Sequence, residues 1–271
     1  MQHHIITGAA SGFGFELARI LLQRGDSVLA SDIQPQRLEK LAAYAAASER
    51  LTTLQLDVRS PQQWESVVAT AKSQWPRIDT LMNVAGVMHP GFVSEIQPSD
   101  VDLHFDVNVK GVVHGTQAAF RVMQDQPLIN GLRGHIINLA SLAGLSPVPG
   151  IALYSASKFA VRGYSLSVGV ELRRYNIAMT VVYPDGASTP MLMNYAHAPE
   201  TALVFTGPRL LTAEDVAHAI VNRGLARRPL ELPIPLHRAI GTKLAGIWPG
   251  AAGMLLGALM RLGLRRQARL P

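Results

Sequence analysis

Along the first 185 residues, short apolar runs alternate with longer stretches whose apolar positions recur at helical spacing. Residues 3–7 form the first run, followed by a glycine-rich turn and a periodic stretch at 15–23. Residues 27–31, 51–56, 80–84, 135–139 and 178–182 read as further strands. Between them, residues 35–47, 61–74, 101–123 and 155–175 read as helices. Ser60 suits the cap, and Pro61 the first turn, of the helix at 61–74. Strands alternating with helices of this length imply right-handed crossovers and an α/β fold. A Rossmann-type, doubly wound parallel sheet with helices on both faces is expected.

After Pro184 the pattern changes. Residues 185–211 are apolar but rich in turn formers. Residues 212–226 predict a helix started by Thr212, with Glu214 and Asp215 in its first turn. Residues 230–234 fit a last strand, which their prolines place at an edge. With no repeat and no linker, residues 1–235 read as one dinucleotide-binding and catalytic domain, and 236–271 as an appended extension.

Composition narrows the class. A chain of 271 residues with 48% apolar and 16% charged residues has the material for a well-buried core. It has no cysteine, which excludes disulfides, thiolate metal sites and cysteine nucleophiles. The first residues lack a basic region followed by an apolar run, so no secretory signal is expected and a cytoplasmic setting is the default. Charge is uneven. Residues 236–271 hold six of the 25 basic residues and no Asp or Glu, which accounts for the whole net charge of +6. The excess therefore describes the extension and not a basic domain face, which argues against nucleic acid as a partner.

Candidate chemistry gathers at the ends of the predicted strands. Gly8, Gly12 and Gly14 sit with Ser11 and Phe13 in a strand–turn–helix, where glycines allow close approach to a pyrophosphate and the helix N-terminus favours an anion. Asp32, ending the second strand, can accept both ribose hydroxyls and repels a 2′-phosphate, or it can cap the helix near Pro35. Neither Ser11 nor Ile33 offers that phosphate a cation, so NAD(H) is favoured over NADP(H). Tyr154 and Lys158 lie four apart, on one helical face. A cation about 4 Å away at an effective dielectric of about 20 contributes roughly 4 kcal/mol. That would draw the phenol about 3 pKa units down, near neutrality, where acid/base work is efficient. Ser141 follows the strand at 135–139 and would face the same crevice, holding the substrate oxygen, unless it merely caps a turn.

With these residues in place, the chain over roughly 3–225 resembles the short-chain dehydrogenases/reductases. Thr7–Gly14 is similar to that family's T-G-x-x-x-G-x-G turn, and Asp57 with Val58 to its adenine-contacting pair. Asn83-Val84-Ala85-Gly86 resembles its N-N-A-G signature, with valine at the second position. The resemblance makes Asn108, Ser141, Tyr154 and Lys158 a catalytic tetrad, with Asn108 holding a water of the proton relay. It implies that Lys158 also binds the nicotinamide ribose. It further implies that Asn83, Ala85, Gly86, Pro184 and Thr189 contact the cofactor, and that 155–175 helps form a homodimer or homotetramer. One motif departs: Pro184 is followed by Asp185, and the expected glycine is displaced to Gly186. An epimerase or lyase of the extended branch would carry a differently spaced glycine turn, and a redox-sensing regulator would not need the tetrad.

The segments expected around a substrate, 87–96, 142–151 and 190–211, are apolar and offer no clear anion clamp beyond Arg209, which reads as a solvated loop residue. A small apolar ketone or secondary alcohol is expected. Residues 154–221 resemble, within the family, the 3-ketodihydrosphingosine reductases, in Tyr183-Pro184, Thr189-Pro190, Pro199-Glu200-Thr201 and Ala213-Glu214-Asp215-Val216-Ala217. That points to a long-chain or lipid-like substrate, although Asp32 opposes the NADPH use typical there. Residues 244–260 carry no charge, but Pro249 and four glycines weaken them as a spanning helix. The extension is expected either to make peripheral contact with an anionic membrane, or to pack over the cleft or a neighbouring subunit.

Overall fold

Neighbouring residues of each apolar run face opposite sides of one sheet. Ile5 and Ile136 pack into one core, while Ile6 and Ile137 pack into another. Both faces being covered, the strands read as continuous apolar runs and not as alternating ones. A computed structural model describes residues 1–45 and 49–270. Its strands are β1 (His3–Thr7), β2 (Ser27–Asp32), β3 (Leu51–Gln55), β4 (Thr80–Asn83), β5 (Gly134–Leu139), β6 (Ile177–Pro184) and β7 (Glu231–Ile234). They form one sheet in the order β3-β2-β1-β4-β5-β6-β7, with every pair parallel. The order reverses between β1 and β4, which opens a crevice at the carboxyl ends of those strands. β7 is the edge strand its prolines implied, with Pro233 opposite Tyr183.

Helices α1 (Gly12–Gln23), α2 (Pro35–Tyr44) and α3 (Pro61–Gln74) follow the first three strands. Next come α4 (Pro98–His104) and α5 (Gly111–Met123), then α6 (Ala152–Leu172) after β5. α7 (Pro190–Met193), α8 (Ala213–Ala219), α9 (Leu236–Ile247) and α10 (Pro249–Gln267) complete the chain. α1, α2 and α8 bury Leu17, Leu21, Leu38 and Val216 on one face of the sheet. α3, α5 and α6 bury Trp64, Val67, Met123 and Leu172 on the other. Each such side chain contributes about 1.5–3 kcal/mol when fully buried.

Four stretches differ from the sequence expectation. The helix expected at 101–123 starts earlier, where the Gln97 N–H donates to Asp100 Oδ2 at 2.9 Å. It is then interrupted by a π-turn at Phe105–Lys110 that contains Asn108. α6 begins at Ala152, so Tyr154 lies inside it. It gives way after Leu172 to a 3₁₀ turn, which ends at Asn176 in the left-handed region. Residues 185–211 contain α7 and a 3₁₀ stretch, Pro199–Thr206. The helix expected at 212–226 is α8 followed by a π-turn, Ile220–Leu225. Thr212 and Asp215 cap α8 reciprocally, each side-chain oxygen accepting the other's N–H, at 2.9 and 3.0 Å. Of the stretch expected at 35–47, Ala46 and Ala47 fall outside the described residues.

The extension folds back over the crevice. Its uncharged run breaks at Trp248, and Pro249 opens α10. α10 lies along 199–206: Gln267 Nε2 donates to Ala198 O and Thr201 Oγ1, both at 2.9 Å. Arg266 donates to the carbonyls of Thr206, at 2.8 Å, and Gly207. No helix among the described residues is long and apolar enough to cross a membrane.

α5 approaches β4 closely because Gly115 has no side chain. A Cβ there would collide with Asn83 Oδ1 and lie 2.7 Å from the Trp64 ring. Gly115→Ala is therefore expected to lower unfolding free energy by about 1–3 kcal/mol in urea titrations. An unchanged midpoint would contradict this packing.

Candidate active site

The turn after β1 is built for close approach. Gly8 and Gly12 take positive φ, and a Cβ at Gly14 would collide with Gly8 O. Ser11 is the cap residue of α1 but makes no side-chain cap bond, and the first turn of α1 holds no acidic residue. Its N–H groups and dipole end therefore suit an anion. Thr7 Oγ1 accepts from Val84 N and Ala85 N, both at 3.0 Å, and so pins the loop after β4 to the end of β1.

A cavity of about 880 Å³ runs across the carboxyl ends of the strands. At one end it is lined by Gly8, Ser11, Gly12, Phe13 and Gly14, with Asp32, Asp57 and Val58 beyond them. Ala85, Gly86, Pro184 and Thr189 line its middle, beside Ser141, Tyr154 and Lys158. Asp32 Oδ2 accepts from Ala10 N at 3.1 Å and Oδ1 from Gln34 N at 3.0 Å. The carboxylate thus braces the glycine turn and the start of α2 while facing the cavity. Arg59 holds Asp57 with a 2.6 Å contact and lowers its pKa below the usual carboxylate range. These residues fit a nicotinamide dinucleotide: an uncapped helix start for the pyrophosphate and carboxylates at the far end.

Two expected residues do not reach the cavity wall. Asn83 is buried below it, donating to Asn138 Oδ1 at 2.8 Å. Asn108 is wholly buried in the π-turn. Its Oδ1 accepts from Val87 N at 2.8 Å, and its Nδ2 donates to Val87 O at 2.9 Å and Ser157 Oγ at 3.0 Å. The amide ties the loop after β4 to α6 instead of presenting itself to the cavity. His104 adds a second tie. Its Nε2 accepts from His89 N at 3.1 Å, and burial lowers its pKa, which keeps the ring neutral.

Ser141 ends β5 and caps the 3₁₀ turn Leu142–Gly144 through Ala143 N at 3.1 Å, while its hydroxyl also meets the Tyr154 phenol. Gly144 allows that turn to sit against α6, since a Cβ there would be 2.6 Å from Lys158 O. Lys158 is 3% exposed, and its Nζ donates to Leu139 O at 2.9 Å. The ammonium lies 5.5 Å from the centre of the Tyr154 ring. The expected lowering of the phenol is not found. Burial pushes Tyr154 up to about 12 against the opposing Ser141 hydrogen bond, and burial also depresses Lys158 to about 8. Desolvation dominates at both groups, and the ammonium is already bound to a carbonyl.

Sequence reasoning missed Arg37 and the partner of Asp185, and it left packing over the cleft as one of two placements for the extension. Arg37, from the first turns of α2, lines the end that holds Asp32. A cation five residues past that aspartate was its signal. The extension lines the opposite end through Thr242 and Ala245 of α9 and Gly253 and Leu256 of α10. Asp185, standing where the family motif has glycine, accepts from Arg238 Nε of α9 at 2.7 Å. The motif departure and the extension are therefore one structural feature. Arg209 pairs with Asp215 at 2.8 Å on the surface, as its loop position implied.

The short chain dehydrogenase family model matches residues 2–200. The chain belongs to that family. It is 33% identical over 212 residues to the cyclopentanol dehydrogenase of Comamonas sp., covering 76% of this chain and 81% of that one. It is 32% identical over 187 residues to the 2,3-dihydro-2,3-dihydroxybenzoate dehydrogenase of Bacillus subtilis, covering 69% and 70%. Among solved structures, the 3-ketoacyl-(acyl-carrier-protein) reductase of Brucella melitensis, complexed with NADH, superposes with a TM-score of 0.75. It is 26% identical, over 86% of this chain and 96% of that one. This short-chain dehydrogenase is an oxidoreductase of alcohol and carbonyl groups that depends on a nicotinamide dinucleotide.

The depressed Lys158 pKa has a sign that can be checked. Between pH 8 and 10.5 the unfolded chain keeps a proton that the folded lysine has lost. This group's stability contribution is therefore complete above pH 10.5 and is lost as pH falls through 8. Relative to Lys158→Met, the wild type should gain roughly 2 kcal/mol of unfolding free energy between pH 7.5 and 9.5. Parallel pH dependence of the two proteins would contradict a buried ammonium.

Proposed function

We propose that the enzyme moves a hydride between NAD(H) and the carbonyl or secondary alcohol carbon of an apolar substrate, with Tyr154 as the proton-transferring group. The observation that carries this reading is the meeting of Tyr154, Ser141 and Lys158 on one cavity wall, in line with the glycine turn and Asp32. When bound, the nicotinamide supplies or accepts the hydride. In reduction the substrate oxygen gains negative charge as hydride arrives at carbon. Ser141 holds that oxygen, and the phenol, protonated at neutral pH, donates its proton there. Oxidation returns the proton along the same path. Lys158 supplies the positive charge that steadies the phenolate and holds the cofactor ribose. Asn108 serves by fixing the Val87 backbone and α6, and Asn83 by supporting the floor beneath Ala85 and Gly86.

Asp32 supports NAD(H) as the cofactor, since a 2′-phosphate beside it meets a like charge; Arg37 and Arg59, the latter paired with Asp57, are the opposing cations that line that end. The substrate end supports an apolar partner: Met88, Val148, Ile151, Leu192, Leu203 and Leu256 line it. A long-chain, lipid-like form of that substrate rests on the resemblance of 154–221 to the 3-ketodihydrosphingosine reductases; none of the three relatives described above is one. Residues 236–271 act as an extension that roofs this end. Exposed Phe159 and Val170 on α6 support a homodimer or homotetramer built through that helix.

Tyr154→Phe should lower ketone reduction by at least about a hundredfold. Its NADH dissociation constant, read by fluorescence titration, should stay within about threefold of wild type. Residual turnover within about tenfold would overturn the assigned role. Wild type should prefer NADH to NADPH in kcat/KM, and Asp32→Ser should narrow that ratio by about tenfold or more. A wild-type preference for NADPH would remove the cofactor assignment.

A further inference from the structure

Half of the large apolar side chains that are exposed among the described residues lie between 236 and 264. Leu236, Ile240, Leu244 and Ile247 recur at helical spacing and form an exposed stripe along α9. Trp248, 66% exposed, continues it at the break, and Met254, Leu255 and Leu262 are exposed on α10, where Leu259 is both exposed and on the cavity wall. The inner sides of the same helices roof the cavity through Thr242, Ala245, Gly253 and Leu256. These outward side chains are therefore not what holds the roof in place. That work is done by Arg238, Arg266 and Gln267.

The charges beside these side chains have one sign. Arg261 and Arg265 lie four apart on α10, one position round from Leu262 and Leu264, and Arg269 follows the helix end; all three are exposed. No Asp or Glu occurs anywhere in 236–271. We propose that the outer face of α9 and α10 docks on an anionic lipid bilayer, with the α9 stripe, Trp248 and the exposed apolar side chains of α10 entering the interface and Arg261, Arg265 and Arg269 meeting lipid phosphates. A second copy of the chain fits less well. A two-fold contact would set this patch against itself and bring uncompensated arginines together. Lying on the surface, as opposed to spanning it, agrees with the absence of a sufficiently long apolar helix among the described residues. Docking there sets the roofed, apolar end of the cavity next to the bilayer.

The full chain is tested by co-sedimentation with phosphatidylcholine vesicles that do or do not contain 30 mol% phosphatidylglycerol, an amount on the order of that in strongly anionic membranes. Each cation near such a surface strengthens partitioning roughly fivefold. Wild type should therefore pellet with the anionic vesicles at least about tenfold better than with neutral ones, and Trp248 emission should shift to the blue. The triple variant Arg261→Ser, Arg265→Ser, Arg269→Ser should lose at least about tenfold in partitioning. The double variant Ile240→Ser, Leu244→Ser should lose the Trp248 shift. These side chains face away from the catalytic residues, so turnover of a soluble ketone should persist in both variants and report that each is folded. Vesicle binding and turnover can thus fail separately. No pelleting with anionic vesicles would overturn the proposal. So would a sedimentation-velocity dimer that the double variant dissociates without any wild-type vesicle binding.

Discussion

An ammonium held almost entirely out of water, that of Lys158, is the constraint around which the crevice is organised. Its direct hydrogen-bond partner among the described residues is the carbonyl at the end of β5, and burial lowers its pKa to about 8. A buried cation of this kind is costly for the fold and has value only where charge must later be met. Its surroundings serve to keep it in place. α6 carries it, Gly144 allows α6 to seat on the turn after β5, and nearby Gly86 leaves room for Asn108, whose Oδ1 would lie 3.1 Å from a Cβ there. The Tyr154 phenol next to it bears its proton at neutral pH, so the wall of the crevice presents a donor and a positive charge together.

The extension belongs to this arrangement more closely than its position at the end of the chain implies. Asp185 departs from the family motif, and Arg238 of α9 answers it with a partly buried ion pair beside the carboxyl end of β6. Removing either partner would strand a charge, so the two are expected to act as a unit. A second tie links Lys243 to Glu231 of β7 at 2.9 Å. α9 is thereby fastened to the two last strands, and α10 closes over the apolar end of the cavity.

Much of the fold was legible because strands buried on both faces must be apolar throughout and must be separated by helices. The glycine turn was legible because most of its demands are local: two positive φ values and the close approach of Gly14 to Gly8 O lie within seven residues, although Gly8 also meets the distant Ala85 backbone. What stayed hidden depends on partners far away in the chain. The π-turn at 105–110 is where Asn108 reaches Val87, and the meaning of Asp185 lies 53 residues on, at Arg238. The position of Asn83 below the cavity floor follows from Asn138 on the neighbouring strand. The phenol's pKa was misjudged because spacing on a helix gives the direction of a neighbour, whereas burial, which decides the sign here, comes from the assembled site. Residues 190–206 form short helical turns that carry little periodic signal of their own.

Tracing the hydrogen itself is the most direct test of the chemistry assigned to this crevice. The enzyme would be supplied with NADH deuterated at C4 of the nicotinamide, each epimer in turn, and with a ketone it reduces. The alcohol formed would then be analysed by mass spectrometry and NMR. One epimer should deliver a single deuterium to the former carbonyl carbon, with none exchanged to solvent. Alcohol that forms without deuterium at that carbon from either epimer would contradict hydride transfer at this site.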